Sequence, residues 1–221
     1  MVNSNLNLRP RLLAISDIHG CEDSLKKLLA SANYDPARDR LMLLGDYIDA
    51  GNPGTYGTLD YIRTLVEQGA HALPGNHELK LLRRLEDAPP SGAEADQWRS
   101  WAGWIRSLPG YRLEDEYLFV HAGIRPGIGL DAQTLIDLTE IRDDFLNPPL
   151  GSEFTVVFGH TPTFRLGAQP GKLWFGDGKI GIDTGAKHGQ RLTLLDVHAR
   201  IGYWCATGPN AEKAGVNETF Y

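Results

Sequence analysis

Cysteine is nearly missing from this chain: Cys21 and Cys205 are the only two among 221 residues. Two thiols cannot build a disulfide framework or a thiolate zinc site. Long apolar runs are missing too, and none approaches the ~18 residues that cross a membrane. A surplus of positive charge is also lacking. Lys and Arg number 22 against 28 Asp and Glu, a formal net charge of −6. Extended nucleic acid needs a basic footprint, so that partner is excluded. A small anionic substrate is not, because a pocket can be positive on an acidic protein. The first ten residues, MVNSNLNLRP, lack the apolar core of a signal peptide. The expectation is a cytoplasmic protein with no membrane partner.

What is there is 42% apolar and 23% charged residues, the balance of a folded globular protein. Short apolar runs alternate with helical stretches. RLLAIS (11–16) and RLMLLG (40–45) predict buried strands. CEDSLKKLLASA puts Leu25, Leu28 and Leu29 on one helical face, and TLDYIRTLVEQG does the same for Leu59, Ile62, Leu65 and Val66. This rhythm predicts βαβ units with a mostly parallel sheet. Residues 79–110 hold two helical patterns split by the breaker APPSGA, the second bearing Trp98, Trp101 and Trp104. They read as a helical insertion within one domain over 1–221. Beyond Tyr111 the chain is strand-rich, with one helix over LDAQTLIDLTEIRDDFL.

Four histidines sit at the ends of predicted strands: His19 in DIHG, His77 in GNHE, His121 in VHAG and His160 in FGHT. Asp17, Asp46, Asp49 and Asn76 lie in the same kind of turn. Strand ends in parallel α/β folds converge on one edge, where ligands bind. Imidazoles and carboxylates without thiolates favour Mn, Fe or Zn. Six candidate ligands are too many for one tetrahedral ion, and two ions bridged by a carboxylate use them better.

DIHG, GDYIDAG, GNHE, HAG and GHT, in that order, resemble the calcineurin-like metallophosphoesterases, and most of all the bacterial branch of the phosphoprotein phosphatase family. The resemblance runs from about Leu12 to Val197. It implies an α/β fold of αββα layers, a β-sandwich flanked by helices. It implies two divalent metal ions, Mn foremost, with Fe or Zn as alternatives. Asp17 and His19 would bind the first, Asp46 would bridge, and Asn76, His121 and His160 would bind the second. His77 would donate a proton to the leaving oxygen, oriented by Asp49. The reaction would be in-line attack by metal-bound hydroxide on phosphorus, without a covalent enzyme intermediate.

Two arginines that clamp phosphate in that family are absent: Ala50 and Pro74 stand in their places. Arg142, in LTEIRDDF, matches a third, Asn76 would also touch the phosphate, and Arg125, just after HAG, is the nearest substitute cation by sequence. The expectation is a phosphomonoesterase acting on phospho-Ser/Thr, and also phospho-Tyr, in a phosphoprotein or phosphopeptide, or on a small phosphorylated substrate. Pro before GNH keeps a dinucleoside polyphosphate hydrolase open as the alternative, while Glu78 in GNHE looks more like the protein phosphatases. A non-catalytic metal-binding scaffold is the third reading, and retention of His77 with Asp49 argues against it.

Overall fold

The computed structural model describes residues 9–89, 91–151, 153–209 and 215–221. Residues 1–8 of the polar N-terminal stretch, and Pro90 of the APPSGA breaker, lie outside them. β1 (Arg11–Ile15) and β2 (Asp39–Leu43) pair in parallel, from Arg11 opposite Asp39 to Ile15 opposite Leu43. The crossover between them is α1 (Glu22–Ser31), which buries Leu25, Leu28 and Leu29 as its spacing predicts. α2 (Thr58–Glu67) buries Leu59, Ile62 and Leu65 and leads to β3 (His71–Ala72), parallel to β2. Val66 is only half-buried.

α3 (Asn76–Asp87) and α4 (Ala95–Ser107) follow, packed on each other. Trp101 is buried with Ala102 and Ile105, its indole N–H donating to Asp60 Oδ1 at 2.8 Å. Trp98 and Trp104 flank it, half-buried against the same core. The chain then forms β4 (Tyr111–Glu114) and β5 (Tyr117–Val120). The single helix predicted over LDAQTLIDLTEIRDDFL is broken: α5 (Leu135–Glu140) stops before α6 (Asp143–Leu146). Thr134 and Asp137 cap α5 reciprocally, and the helix ends on Ile141 in an extended conformation. β6 (Thr155–Phe158), β7 (Trp174–Gly176), β8 (Lys179–Gly181), β9 (Arg191–Asp196), β10 (Ile201–Ala206) and β11 (Asn217–Phe220) complete the chain.

The strands form two sheets, ordered β11-β10-β9-β1-β2-β3 and β4-β5-β6-β8-β7. Strand alternation builds three apolar layers. Leu13 and Ile15 face α1 and α2, while Leu12 and Ala14 face the other sheet, where Phe119, Val157 and Ile180 meet them. Leu118 and Val120, on the far side of the second sheet, pack on Leu138 and Phe145 of α5 and α6. The result is the expected αββα sandwich. The expectation of a mostly parallel sheet does not hold. Parallel pairing is confined to β1-β2-β3 and β5-β6-β8, and antiparallel hairpins flank both blocks. Those two parallel blocks send their C-terminal ends to one edge, and that edge carries the site.

Candidate active site

Each parallel strand delivers a loop to that edge: Asp17 and His19 after β1, Asp46 and Asp49 after β2, Asn76 and His77 after β3, His121 after β5, His160 after β6. The loops are strained. Asp17 (φ 54°), His19 (φ 47°), Asp46 (φ 54°) and His160 (φ 64°) all occupy the left-handed region. Strain of roughly 1–3 kcal/mol per residue persists only where surrounding structure over-determines it, which happens at functional sites. Gly45 (φ 87°) and Gly75 allow two of these loops to cross, since a Cβ on Gly45 would lie 2.4 Å from Gly75 N and one on Gly75 2.2 Å from Asp46 Oδ1.

Asp46 is the centre. Its Oδ2 lies 3.7 Å from His19 Nε2 and its Oδ1 3.5 Å from His121 Nε2. His19 Nε2 also lies 3.8 Å from Asp17 Oδ1. Asn76 Oδ1 is 3.2 Å from His121 Nε2, 2.9 Å from His160 Nδ1 and 3.2 Å from Asp46 Oδ2. The tautomers follow from the outer contacts. His19 Nδ1 donates to Ile48 O at 3.2 Å and His121 Nδ1 to Leu44 O at 2.7 Å, so each Nε2 keeps a lone pair aimed inward. Among the described residues, two groups of potential ligand atoms within 4.8 Å of one another, His19–Asp46–His77 and Asp46–His121–His160, share Asp46.

Glu78 has no exposure and holds the crossing loops together. Its Oε2 accepts from Asp46 N and Gly75 N at 2.8 Å each, and its Oε1 accepts from Tyr47 N at 2.9 Å and Ile48 N at 3.3 Å. The identity of the acid in GNHE therefore reports on loop packing, not on substrate. Tyr47 is fully buried, its hydroxyl within hydrogen-bond distance of both Leu43 O and Leu73 O. His77 Nδ1 accepts the Ala50 N–H at 2.9 Å, so the neutral ring carries its hydrogen on Nε2. Asp49 Oδ1 stands 3.4 Å from the same Nδ1. Burial, with His19 and Lys187 nearby, pushes the His77 pKa down to about 3.

The cleft above Asp17 and Asp46 measures about 210 Å³. Arg142 lines it, brought there by the break between α5 and α6, with Nη1 donating to Thr161 Oγ1 at 3.2 Å. Arg125 is not there. Asp137 takes its guanidinium at 2.6 Å and Asp144 at 3.3 Å, so the expected substitute cation is already neutralised elsewhere. Sequence reasoning missed five polar lining residues: Lys80, Arg165, Asp183, Lys187 and His188. Asp183 lies in GIDTGA, which resembles the family's closing strands, while the others belong to no motif, although the glycine-rich turn GIDTGAKHG after a strand could have flagged Lys187.

The calcineurin-like phosphoesterase family model matches residues 10–191. The chain belongs to this family. Its metallophosphoesterase domain is similar to a symmetrical bis(5'-nucleosyl)-tetraphosphatase from Aromatoleum aromaticum, 36% identical over 52% of this chain and 45% of the relative. A second relative of the same name, from Pseudomonas fluorescens, is 30% identical over 92% of this chain and 81% of its own length. A solved structure provisionally described as a diadenosine tetraphosphatase superposes with a TM-score of 0.70, at 24% identity, over 92% of this chain and 96% of that one. Apart from the Pseudomonas protein, the chain spans about half the length of most curated relatives it matches. These findings overturn the expectation of a protein phosphatase. The named relatives favour the dinucleoside polyphosphate alternative, and the residue that pointed to phosphoproteins, Glu78, is buried away from the cleft.

The phosphoesterase family is metal-dependent, and the residues present fit divalent cations. Burial opposes charge on Asp17, but its bond to His19 and the nearness of His121 hold it well below the usual carboxylate range. Burial, then Asp17, push Asp46 and Asp183 well above that range. Three buried carboxylates cannot all ionise unaided, and a cation among them removes that conflict. His160 Nε2 is buried without a hydrogen-bond partner among the described residues, and Asn76 Oδ1 faces the His121 Nε2 lone pair and the Asp46 carboxylate. Such a donor set is repulsive to itself and attractive to a metal. Among the described residues, no helix is long and apolar enough to cross a membrane.

Proposed function

We propose that this chain hydrolyses the phosphoanhydride chain of dinucleoside polyphosphates, cutting it symmetrically, with two divalent cations. Asp17, His19 and Asp46 would hold one cation, and Asp46, Asn76, His121 and His160 the other. Together the cations would supply positive charge for the phosphate oxygens and lower the pKa of a bound water. The observation that carries the reading is the lining of the cleft. Lys80, Arg142 and Arg165 have no carboxylate partner among the described residues, and all three border the cleft over Asp46. Unpaired cations ringed about an acidic floor suit a ligand with several linked phosphates better than a single phosphate ester. A 210 Å³ cleft takes phosphate groups and leaves the nucleosides outside it. The names of the relatives point the same way.

In this reading Arg142 and Lys80 bind the phosphate under attack, and the strained loops fix the ligands before substrate arrives, which spares reorganisation during the reaction. His77 presents Nε2–H to the leaving side. Attack is direct on phosphorus, with no enzyme nucleophile. The test is a substrate panel with added Mn²⁺: diadenosine tetraphosphate, p-nitrophenyl phosphate and a phosphoserine peptide. Preference for the tetraphosphate, with ADP as product, is expected. Preference for the peptide overturns the proposal.

A further inference from the structure

Ala50 occupies the place where the family's clamping arginine would stand, and its surroundings are closed. The residue is buried, and its carbonyl accepts the Tyr56 hydroxyl at 2.7 Å and the Arg84 guanidinium. Ala50 itself brings no charge to the cleft. A different cation arrives from the connection between the two sheets. Lys187 sits on a short turn, Ala186–His188, between β8 and β9. Its backbone is fixed from both sides. Gly185 (φ 88°) and Gly189 (φ 67°) bracket the turn, Gly185 N–H donates to Asp183 Oδ1 at 3.0 Å, and the Thr207 hydroxyl donates to Ala186 O at 2.9 Å.

From this turn Lys187 Nζ reaches 3.4 Å from Asp49 Oδ2 and 3.2 Å from His77 Nε2. The second contact is informative. Ala50 N–H occupies the Nδ1 lone pair of His77, so Nε2 bears the ring hydrogen. An ammonium and an N–H then face each other at 3.2 Å, two donors with no acceptor between them. An anionic oxygen accepting from both would satisfy the pair. That oxygen belongs on the leaving side, because His77 borders Asp46 through Nε2 at 3.9 Å.

We infer that Lys187 binds the leaving phosphate of the substrate, together with His77 Nε2–H, and so does the work of the arginine that Ala50 lacks. The inference rests on the polyphosphate reading of the site. In the reaction the oxygen of water bonds to phosphorus and the P–O bond to the leaving phosphate breaks. The bonding electron pair stays on the leaving oxygen. One hydrogen of the water remains with the transferred oxygen and the other is released to solvent, so one tetraphosphate and one water give two nucleoside diphosphates. The negative charge that develops on the leaving oxygen lies beside the Lys187 ammonium. A phenolate leaving group carries no phosphate and makes fewer contacts there.

Two measurements test this. The first is calorimetric binding of ADP to the Mn²⁺-loaded protein, as wild type, Lys187→Ala and Lys187→Arg. Loss of one charge-assisted contact weakens ADP binding roughly ten- to a hundredfold in Lys187→Ala, and Lys187→Arg restores most of it. Unchanged ADP affinity in Lys187→Ala overturns the inference. The second compares kcat/KM for diadenosine tetraphosphate and p-nitrophenyl phosphate. The fall in Lys187→Ala is expected to be at least ~10-fold larger on the tetraphosphate. Equal falls on both substrates would make Lys187 a residue that only orients His77 and Asp49, and would also overturn it. If the wild type leaves the tetraphosphate intact, the polyphosphate reading fails, while ADP affinity still decides whether Lys187 binds a nucleoside diphosphate.

Discussion

Glu78→Gln separates loop support from substrate choice. The side chain keeps its size, but only one of its two end atoms can still accept. Glu78 takes four backbone N–H groups, two on each oxygen. In the variant the amide NH₂ faces either Asp46 N and Gly75 N, or Tyr47 N and Ile48 N. Two buried donors are left unsatisfied at about 1–3 kcal/mol each. Part of this is returned, because burial raises the Glu78 pKa and a neutral amide escapes that cost. The net expectation is about 2 kcal/mol at the low end, a Tm lowered by roughly 4–8 °C for a chain of this size. Metal affinity falls as well when the amide NH₂ takes the place of Oε2, since Asp46 N is then one of the released groups. The ratio of kcat/KM for diadenosine tetraphosphate to that for p-nitrophenyl phosphate stays within ~3-fold of wild type, because Glu78 does not face the cleft. Thermal melting and the two rate constants are the assays. An unchanged Tm, or a shifted substrate ratio in a protein of normal Tm, would refute the reasoning.

Asp46→Asn removes the carboxylate common to both ligand groups, so metal analysis after desalting should find fewer than two ions per chain and turnover at background; full occupancy would contradict the bridge. Arg142→Ala should lower kcat/KM roughly ten- to a hundredfold through loss of a charge-assisted contact. Arg125→Ala should leave kcat/KM within ~2-fold, its guanidinium being spent on Asp137 and Asp144; steady-state kinetics of the pair checks both. Ala50→Arg should not rescue a missing clamp. It forces a long side chain into a buried position at about 1–3 kcal/mol, read as a lower Tm without a gain in activity.

The site was legible where residue type and strand position coincide. Asp17, Asp46, Asn76, His121 and His160 each follow a strand of a parallel block, and parallel strands share one C-terminal edge whatever their order in the chain. The cations were less legible, because their placement depends on tertiary detail. Arg125 lies next to HAG in sequence, yet two acids of α5 and α6 capture it. Arg142 enters the cleft only because the apolar periodicity of LDAQTLIDLTEIRDDFL is interrupted at Ile141, which a helical pattern does not reveal. Lys187 comes from a turn more than a hundred residues beyond His77 and carries no motif of its own. Glu78 misled for the opposite reason: its identity in GNHE looked like the protein phosphatases, while its four backbone partners make it an internal brace. β9, β10, β4 and β5 lie in the strand-rich half but their antiparallel pairing was not foreseen, since pairing direction leaves little trace in short apolar runs, and the polar β11 was not foreseen at all.

The most direct measurement of the central claim is product analysis by mass spectrometry after cleavage of diadenosine tetraphosphate in ¹⁸O-water with Mn²⁺. The account predicts ADP as the sole nucleotide product, with one ¹⁸O on the terminal phosphate of half the ADP molecules. AMP and ATP as products, or no cleavage by protein with its metals bound, would contradict it.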